Sequence, residues 1–357
     1  MTEKANVKRT LYFDILRILA TVAVITLHVA AQNWNTVRLD SVEWTVFNLF
    51  DSAVRWSVPV FVMISGALFL DCDKPFSIRK LYTGNIFRII TAFIFWSAVY
   101  AANQAVQGAD LKTAVMAFVE GNYHMWFLFM IIGLYVVTPI LRKITENKKI
   151  TEYFLLAGLI FTFLIPRTLV FLKCADIPHT ASLLESLNAV YSDIHFHLTA
   201  GYTFYYVLGL YLAKYDISAG KRRIAYLLSI LGFIATAALT DWYSVKIGKA
   251  SEIFYSYFSI GVMLMSAGLF LFAKYVLSKI QFGKKGEKIL LRMSKCTFGV
   301  YLVHVLVIMK FKDWLGLTTL TVHPVLSVLI IVFGAFLVSY ILSAILNRIP
   351  VLKKYIV

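Results

Sequence analysis

LYFDILRILATVAVITLHVAA, residues 11–31, decides how the chain is to be read. Crossing the hydrocarbon of a bilayer takes about 20 predominantly apolar residues, and this stretch has that length. Its polar interruptions are Asp14, Arg17 and His28. The same ruler finds further apolar stretches near 45–70, 81–102, 124–142, 151–171, 199–214, 222–240, 253–278, 291–311 and 325–349. The expectation is an all-α, polytopic integral membrane protein of about ten transmembrane helices, a single membrane domain over residues 1–357 with no appended soluble domain.

Composition agrees. Of 357 residues, 60 % are hydrophobic and 15 % charged, with mean hydropathy +0.75. A soluble domain carries about 25 % charged residues and has no means of hiding this much apolar surface from water. The net charge of +16 is read as loop asymmetry rather than as nucleic-acid binding. If the N-terminus is cytoplasmic, inside segments hold Lys4, Lys8, Arg9, Lys74, Arg79, Lys80, Arg142, Lys143, Lys148 and Lys149, and later Lys214 to Arg223, Lys279 to Arg292, and Lys353 and Lys354. The bias over the outside loops is about three to one and alternates without a break, which places both termini in the cytoplasm. Cys72, Cys174 and Cys296 make neither a CxxC nor a metal spacing. The first stretch lacks a credible cleavage site and is expected to be retained. The outside connection 172–198 carries Asp176, His179, Glu185, Asp193, His195 and His197 without metal-ligand spacing, so no metal is expected.

Ionisable groups inside membrane helices are costly and so mark function by default. Arg17 and His28 are eleven residues apart, about three full turns and about 16 Å along the axis, so they share a face. Asp14 lies three residues before Arg17, within pairing reach. Asp51 and Arg55 have the i, i+4 spacing of an ion pair, followed by Pro59 and Gly66, which allow bending and close helix packing. Arg79 and Lys80 mark the start of the third helix, with Arg88 two turns further in. His124 and Trp126 open the fourth helix near the level of His28, and Tyr301 and His304 share a face of the ninth, two turns beyond Ser294. Each has a structural reading too: interfacial anchor, helix–helix hydrogen bond or aromatic belt.

Taken in order, Arg17-x10-His28 in the first helix, VPVFVMISGALFL (58–70), MWFLFMIIGLYVVTPILR (125–142) and SKCTFGVYLVH (294–304) resemble the membrane-bound acyltransferase 3 family, and the resemblance covers nearly the whole chain. Those are bacterial enzymes that O-acylate sugars and polysaccharides. The basic cluster entering the third helix, IRKLYTGNIFRII (78–90), is thinner than is usual in the family and lacks its proline. The resemblance implies a multi-pass enzyme of the cell (plasma or inner) membrane, with acetyl-CoA as cytoplasmic acyl donor and a carbohydrate or lipid-linked glycan of the cell envelope as acceptor. Under it, His28 is the general base and Arg17, positioned by Asp14, binds donor with Arg79, Lys80 and Arg88. Asp51, Arg55, His124, Trp126, Tyr301 and His304 are acceptor or oxyanion candidates, and Trp56, Tyr202 and Tyr205 are further aromatics able to stack on a sugar. A transporter or flippase using the same buried polar face is the alternative; it would not consume acetyl-CoA. A sensor or binding domain is a third reading. The sequence does not choose among acyl groups, acceptors, direct or covalent transfer, or monomer and homo-oligomer.

Overall fold

The computed structural model describes residues 11–193 and 201–357. Everything regular in them is helical. We number the helices α1 (Leu11–Ala30), α2 (Val42–Val54), α3 (Ser57–Phe69), α4 (Ile78–Val106), α5 (Leu111–Glu120), α6 (Trp126–Thr145) and α7 (Lys148–Ala175). There follow α8 (Ala181–Asp193), α9 (Tyr202–Lys214), α10 (Ala219–Ile247), α11 (Ile260–Tyr275), α12 (Lys284–Leu315), α13 (Pro324–Leu346) and α14 (Pro350–Tyr355).

Among the described residues, nine stretches are long and apolar enough to span a membrane, with α2–α3 and α5–α6 each counting as one. The protein is therefore a multi-pass membrane protein. The tenth expected span, 199–214, is present as α9 with 13 residues, about 20 Å of helix, and it abuts residues 194–200, which lie outside the described part. His195 and His197 fall there as well.

Local chemistry explains where the expected boundaries shift. Pro59 cannot donate to the carbonyl four residues back and its ring crowds it, so the second span breaks between Val54 and Ser57, at Arg55. Segments 103–123 and 172–198 are not plain loops. They carry α5, capped by Asp110 on the Thr113 N–H (2.9 Å) and ended by Gly121 at φ 73°, and α8. Residues 251–259 are irregular, and α11 starts only where the Ser259 hydroxyl caps Val262 N–H (3.3 Å). α12 runs 32 residues, about 48 Å, well beyond a hydrocarbon core.

α1 is the most buried span and packs against α2, α3, α12 and α13. α3 and α9 cross backbone to backbone through Gly66 and Gly209, the close packing that small residues permit in lipid. The basic loops gather at one end. Arg142 donates to the carbonyls of Phe69 (2.7 Å), Asp71 (2.9 Å) and Lys74 (3.1 Å), Lys214 pairs with Asp73 (2.7 Å), and Lys274 donates to the Tyr215 carbonyl (2.8 Å). The other end is tied by Trp44 to Asp241 (2.9 Å), Asn33 to Thr319 (2.8 Å) and Lys246 to the Cys174 carbonyl (2.8 Å). The three cysteines are free.

Candidate functional site

The foot of the site is on α1. Asp14 is 1 % exposed, pairs with Arg17 at 3.3 Å and accepts a hydrogen bond from the Ser294 hydroxyl of α12. A buried carboxylate held from two sides fixes the guanidinium beside it. Arg17 then lines a cavity of about 450 Å³ together with Lys80, Asn85 and Arg88 of α4. Residues 81–86 of α4 are wound as π-helix. That wider winding is common at functional positions, and here it turns Lys80, Gly84, Asn85 and Arg88 toward one space. Arg88 also stacks over Phe298, at 5.4 Å, and donates to the Val357 carbonyl. Thr91 and Trp96 bind the carbonyls of Tyr355 (2.6 Å) and Ile356 (3.2 Å), so the segment after α14 lies along α4.

From that cationic end the cavity runs up α1 past Val24 to Phe127 and Tyr301. Its wall between is apolar and aromatic, with Val58, Phe61, Ile64, Leu128, Ile131 and Tyr135. Arg17 to Val24 is seven residues, about 10 Å of rise, and His28 sits one turn above Val24.

Around His28 the structure gathers three histidines, from α1, from the 3-10 turn Tyr123–Met125 that leads into α6, and from α12. The ring centroids are 5.2 Å apart for His28–His304, 5.2 Å for His124–His304 and 6.2 Å for His28–His124. His304 is fully buried and its Nδ1 donates to the Tyr301 carbonyl (2.6 Å), which leaves Nε2 with the lone pair. His124 Nδ1 meets the Asn122 side-chain oxygen at 2.9 Å, and its backbone carbonyl accepts from the Tyr301 hydroxyl. His28 differs from both. It is only half-buried, and among the described residues no hydrogen bond holds its ring. Tyr123 packs edge-on against it at 5.3 Å. Tyr100 stiffens the floor, donating to the Leu302 carbonyl (3.0 Å) and accepting from Leu306 N–H (3.1 Å), across one rung of α12. Among the described residues, no three His, Cys, Asp or Glu side chains are placed to share a metal ion.

A second polar group lies on the break in the α2–α3 span. Arg55 pairs with Asp51 at 2.6 Å and stacks over Tyr255 at 4.1 Å. Tyr255 in turn donates to Asn48 (2.6 Å), which donates to the Ala237 carbonyl (3.0 Å). Trp126, Tyr202 and Tyr257 form an aromatic group, with Trp126 at 5.7 Å from Tyr202 and 5.9 Å from Tyr257. Tyr205 is fully buried with its hydroxyl on the Tyr257 carbonyl (2.6 Å), and the Trp56 indole N–H bonds the Ala53 carbonyl (2.7 Å).

The structure thus brings Arg17, Lys80 and Arg88 to one end of a cavity and Tyr301 to the other, with Asp14 behind Arg17 and with His28, His124 and His304 grouped beside Tyr301 outside the cavity's lining. Arg79 is exposed and does not line it, and Asp51, Arg55 and Trp126 stand apart from its lining. Sequence reasoning missed Asn85, Tyr100, Asn122, Tyr123, Tyr135 and Tyr257. Asn122 and Tyr123 directly precede His124 in NYHMW, so widening that motif would have found them; Asn85 and Tyr135 lie inside the stretches 78–90 and 125–142, and Tyr100 carries no such mark.

A multi-pass helical bundle with a cationic pocket that reaches toward a cluster of histidines is the class that fold and site define. Residues 10–344 match the family model for the acyltransferase domain of the acyltransferase 3 family, and the chain belongs to that family. It is a membrane acyltransferase by that membership. No curated protein and no solved structure matches the chain.

Proposed function

We propose that the protein moves an acetyl or similar acyl group from acyl-CoA to a hydroxyl of a cell-envelope glycan or sugar, with His28 as general base. The observation that carries this reading is the single cavity running from Arg17, Lys80 and Arg88 to the level just below His28. CoA is an anionic head on a long, thin arm that ends in a thioester. Forked guanidiniums suit phosphates, and a narrow apolar passage suits the arm. Arg17, Lys80 and Arg88 take the phosphates, with Asp14 and Ser294 positioning Arg17. Arg79 is exposed and lies outside the lining, so it is left out of the donor set.

The acceptor hydroxyl approaches from the opposite end. His28 removes its proton as the oxygen attacks the thioester carbonyl, an oxygen–carbon bond forming while the carbon–sulfur bond breaks, and the imidazolium returns that proton to the departing sulfur so that CoA leaves as the thiol. A neutral imidazole with a free nitrogen suits this step, since its ordinary pKa lies near working pH. His124 and His304, each anchored through Nδ1, and Tyr301 set the geometry around the reacting carbon. The aromatic group Trp126, Tyr202 and Tyr257 offers faces for a sugar ring, with Asp51 and Arg55 nearby on the same outer half. Basic loops at the donor end fit a cytoplasmic source of acyl-CoA in a cell membrane.

The test is acylation in cells. Envelope glycans from cells expressing the wild type should carry an acyl mass increment that His28→Ala, present in the membrane at equal amount, does not add. Glycans acylated equally by His28→Ala would refute the assignment. A translocation activity persisting without acyl-CoA would point to a transporter instead.

A further inference from the structure

We infer that the cleft between the start of α12 and the end of α13 is a binding site for the headgroup of an anionic phospholipid. It is a cavity of about 540 Å³ on the basic end of the bundle, away from the one that leads to His28. Arg292 and Lys295 line it from α12, Arg348 from the turn after α13, and Lys353 from α14. These four cations converge without an acid: among the described residues none makes an ion pair with a carboxylate. Several other cations are, by contrast, partnered. Arg55 has Asp51, Lys214 has Asp73, and Arg142 has three carbonyls.

The same cleft has an apolar wall. Tyr340, Ile341 and Ile345 of α13 line it and continue onto an exposed apolar face of that helix, with Leu337 and Phe333 exposed further along. A ring of unneutralised cations at the end of an apolar groove has the shape and polarity of one lipid, phosphate in the ring and a chain along α13. Basic residues at the edge of a membrane domain attract anionic lipid generally. What singles out this cleft is convergence: two helices and the turn after α13 bring four charges to the lining of one open cleft. Lys284, Lys285 and Lys288, one to two turns earlier on α12, serve as the comparison: Lys284 and Lys288 share an adjoining groove with Arg292 and Lys295, but there the acid Glu287 stands among them. Bound lipid would brace Lys353, and with it the segment that lies along α4.

The test uses the full chain in neutral detergent, titrated with phosphatidylglycerol and, separately, phosphatidylcholine, with bound lipid counted by native mass spectrometry. One phosphatidylglycerol should be retained in preference to phosphatidylcholine. The triple variant Arg292→Ala, Arg348→Ala, Lys353→Ala should weaken that retention on the order of 100-fold. Lys284→Ala, Lys285→Ala, Lys288→Ala, which removes the same charge, should leave it unchanged. All six side chains are exposed, so unfolding midpoints in phosphatidylcholine should match wild type; if the triple variant unfolds, Arg348→Gln alone supplies the same comparison with a smaller loss. Equal loss in both triple variants would overturn the proposal in favour of diffuse surface charge. Displacement of the lipid by soluble glycerol phosphate would overturn it in favour of a free-phosphate site.

Discussion

Gly209→Ala tests how the bundle is closed. A methyl group there would lie 2.0 Å from the Met63 carbonyl oxygen and 2.4 Å from its carbon, where ordinary contact begins at 3.4 Å. The obstacle is the backbone of α3, so no rotamer change relieves it. α3 and α9 must separate by about 1.4 Å, which loosens every contact along their crossing. Overpacking a tight site costs about 1–3 kcal/mol, and with an unyielding neighbour the upper end applies, about 3 kcal/mol. For a chain of this size that lowers the unfolding midpoint by roughly 4 °C. The assay is thermal unfolding in detergent, followed by the loss of the monodisperse peak in size-exclusion chromatography. Gly133→Ala is the control, because a methyl group there meets nothing within 4 Å. It should be neutral or stabilising by about 0.5–1 kcal/mol, since alanine suits a helix interior better than glycine. If Gly209→Ala and Gly133→Ala melt alike, the backbone crossing described here is wrong.

Four further outcomes follow from named contacts. Asp51→Ala leaves the Arg55 guanidinium buried without its partner and should cost about 3–5 kcal/mol, read in the same unfolding assay, whereas Asp51→Asn retains a neutral acceptor and should cost less. Arg142→Ala removes three donors from the carbonyls of Phe69, Asp71 and Lys74 and should cost about 2–4 kcal/mol without selectively weakening donor binding. Tyr301→Phe deletes the donor to the His124 carbonyl and should slow acyl transfer about tenfold at unchanged acyl-CoA affinity, as expected of one lost hydrogen bond. Burial pushes the Asp71 carboxyl up, but Lys74, the Asp73 N–H and Lys214 more than reverse this and hold it below its ordinary value. Its stabilising contribution is therefore complete above the unfolded value of about 4 and lost as pH falls through the lower folded value. Asp71→Asn should melt below wild type at pH 7, and the gap should close in acid; a gap independent of pH would contradict the pairing.

Most of the path through the site was legible because helical periodicity is exact enough over one span. Counting eleven residues from Arg17 to His28 predicts a shared face, and the cavity follows that face. Asp14 with Arg17, and Asp51 with Arg55, pair as their i, i+3 and i, i+4 spacings require. Gly66 was readable as a close-packing residue, although its partner Gly209 was not, because nothing local says which helix will lie against it. The convergence of His124 and His304 on His28 is likewise a property of packing among α1, the turn that opens α6, and α12, invisible along any one of them. The π-wound turn that aims Lys80 and Arg88 together has no apolar signature distinct from α-helix. The helices α5 and α8 escaped notice because a short apolar-polar mixture between spans reads as loop. Tyr100 bridges a rung of α12 from 202 and 206 residues away in sequence, a contact that only the folded chain discloses.

The central claim is that acyl-CoA binds with its phosphates at Arg17 and its thioester beside His28. The most direct test is calorimetric binding of acetyl-CoA to the purified protein in nanodiscs, for wild type, Arg17→Ala and His28→Ala. The account predicts binding by wild type, affinity reduced about 10–100-fold by Arg17→Ala, as loss of a charged phosphate contact requires, and affinity essentially kept by His28→Ala. Folded wild type that binds no acetyl-CoA, or Arg17→Ala that binds as tightly as wild type, would contradict it.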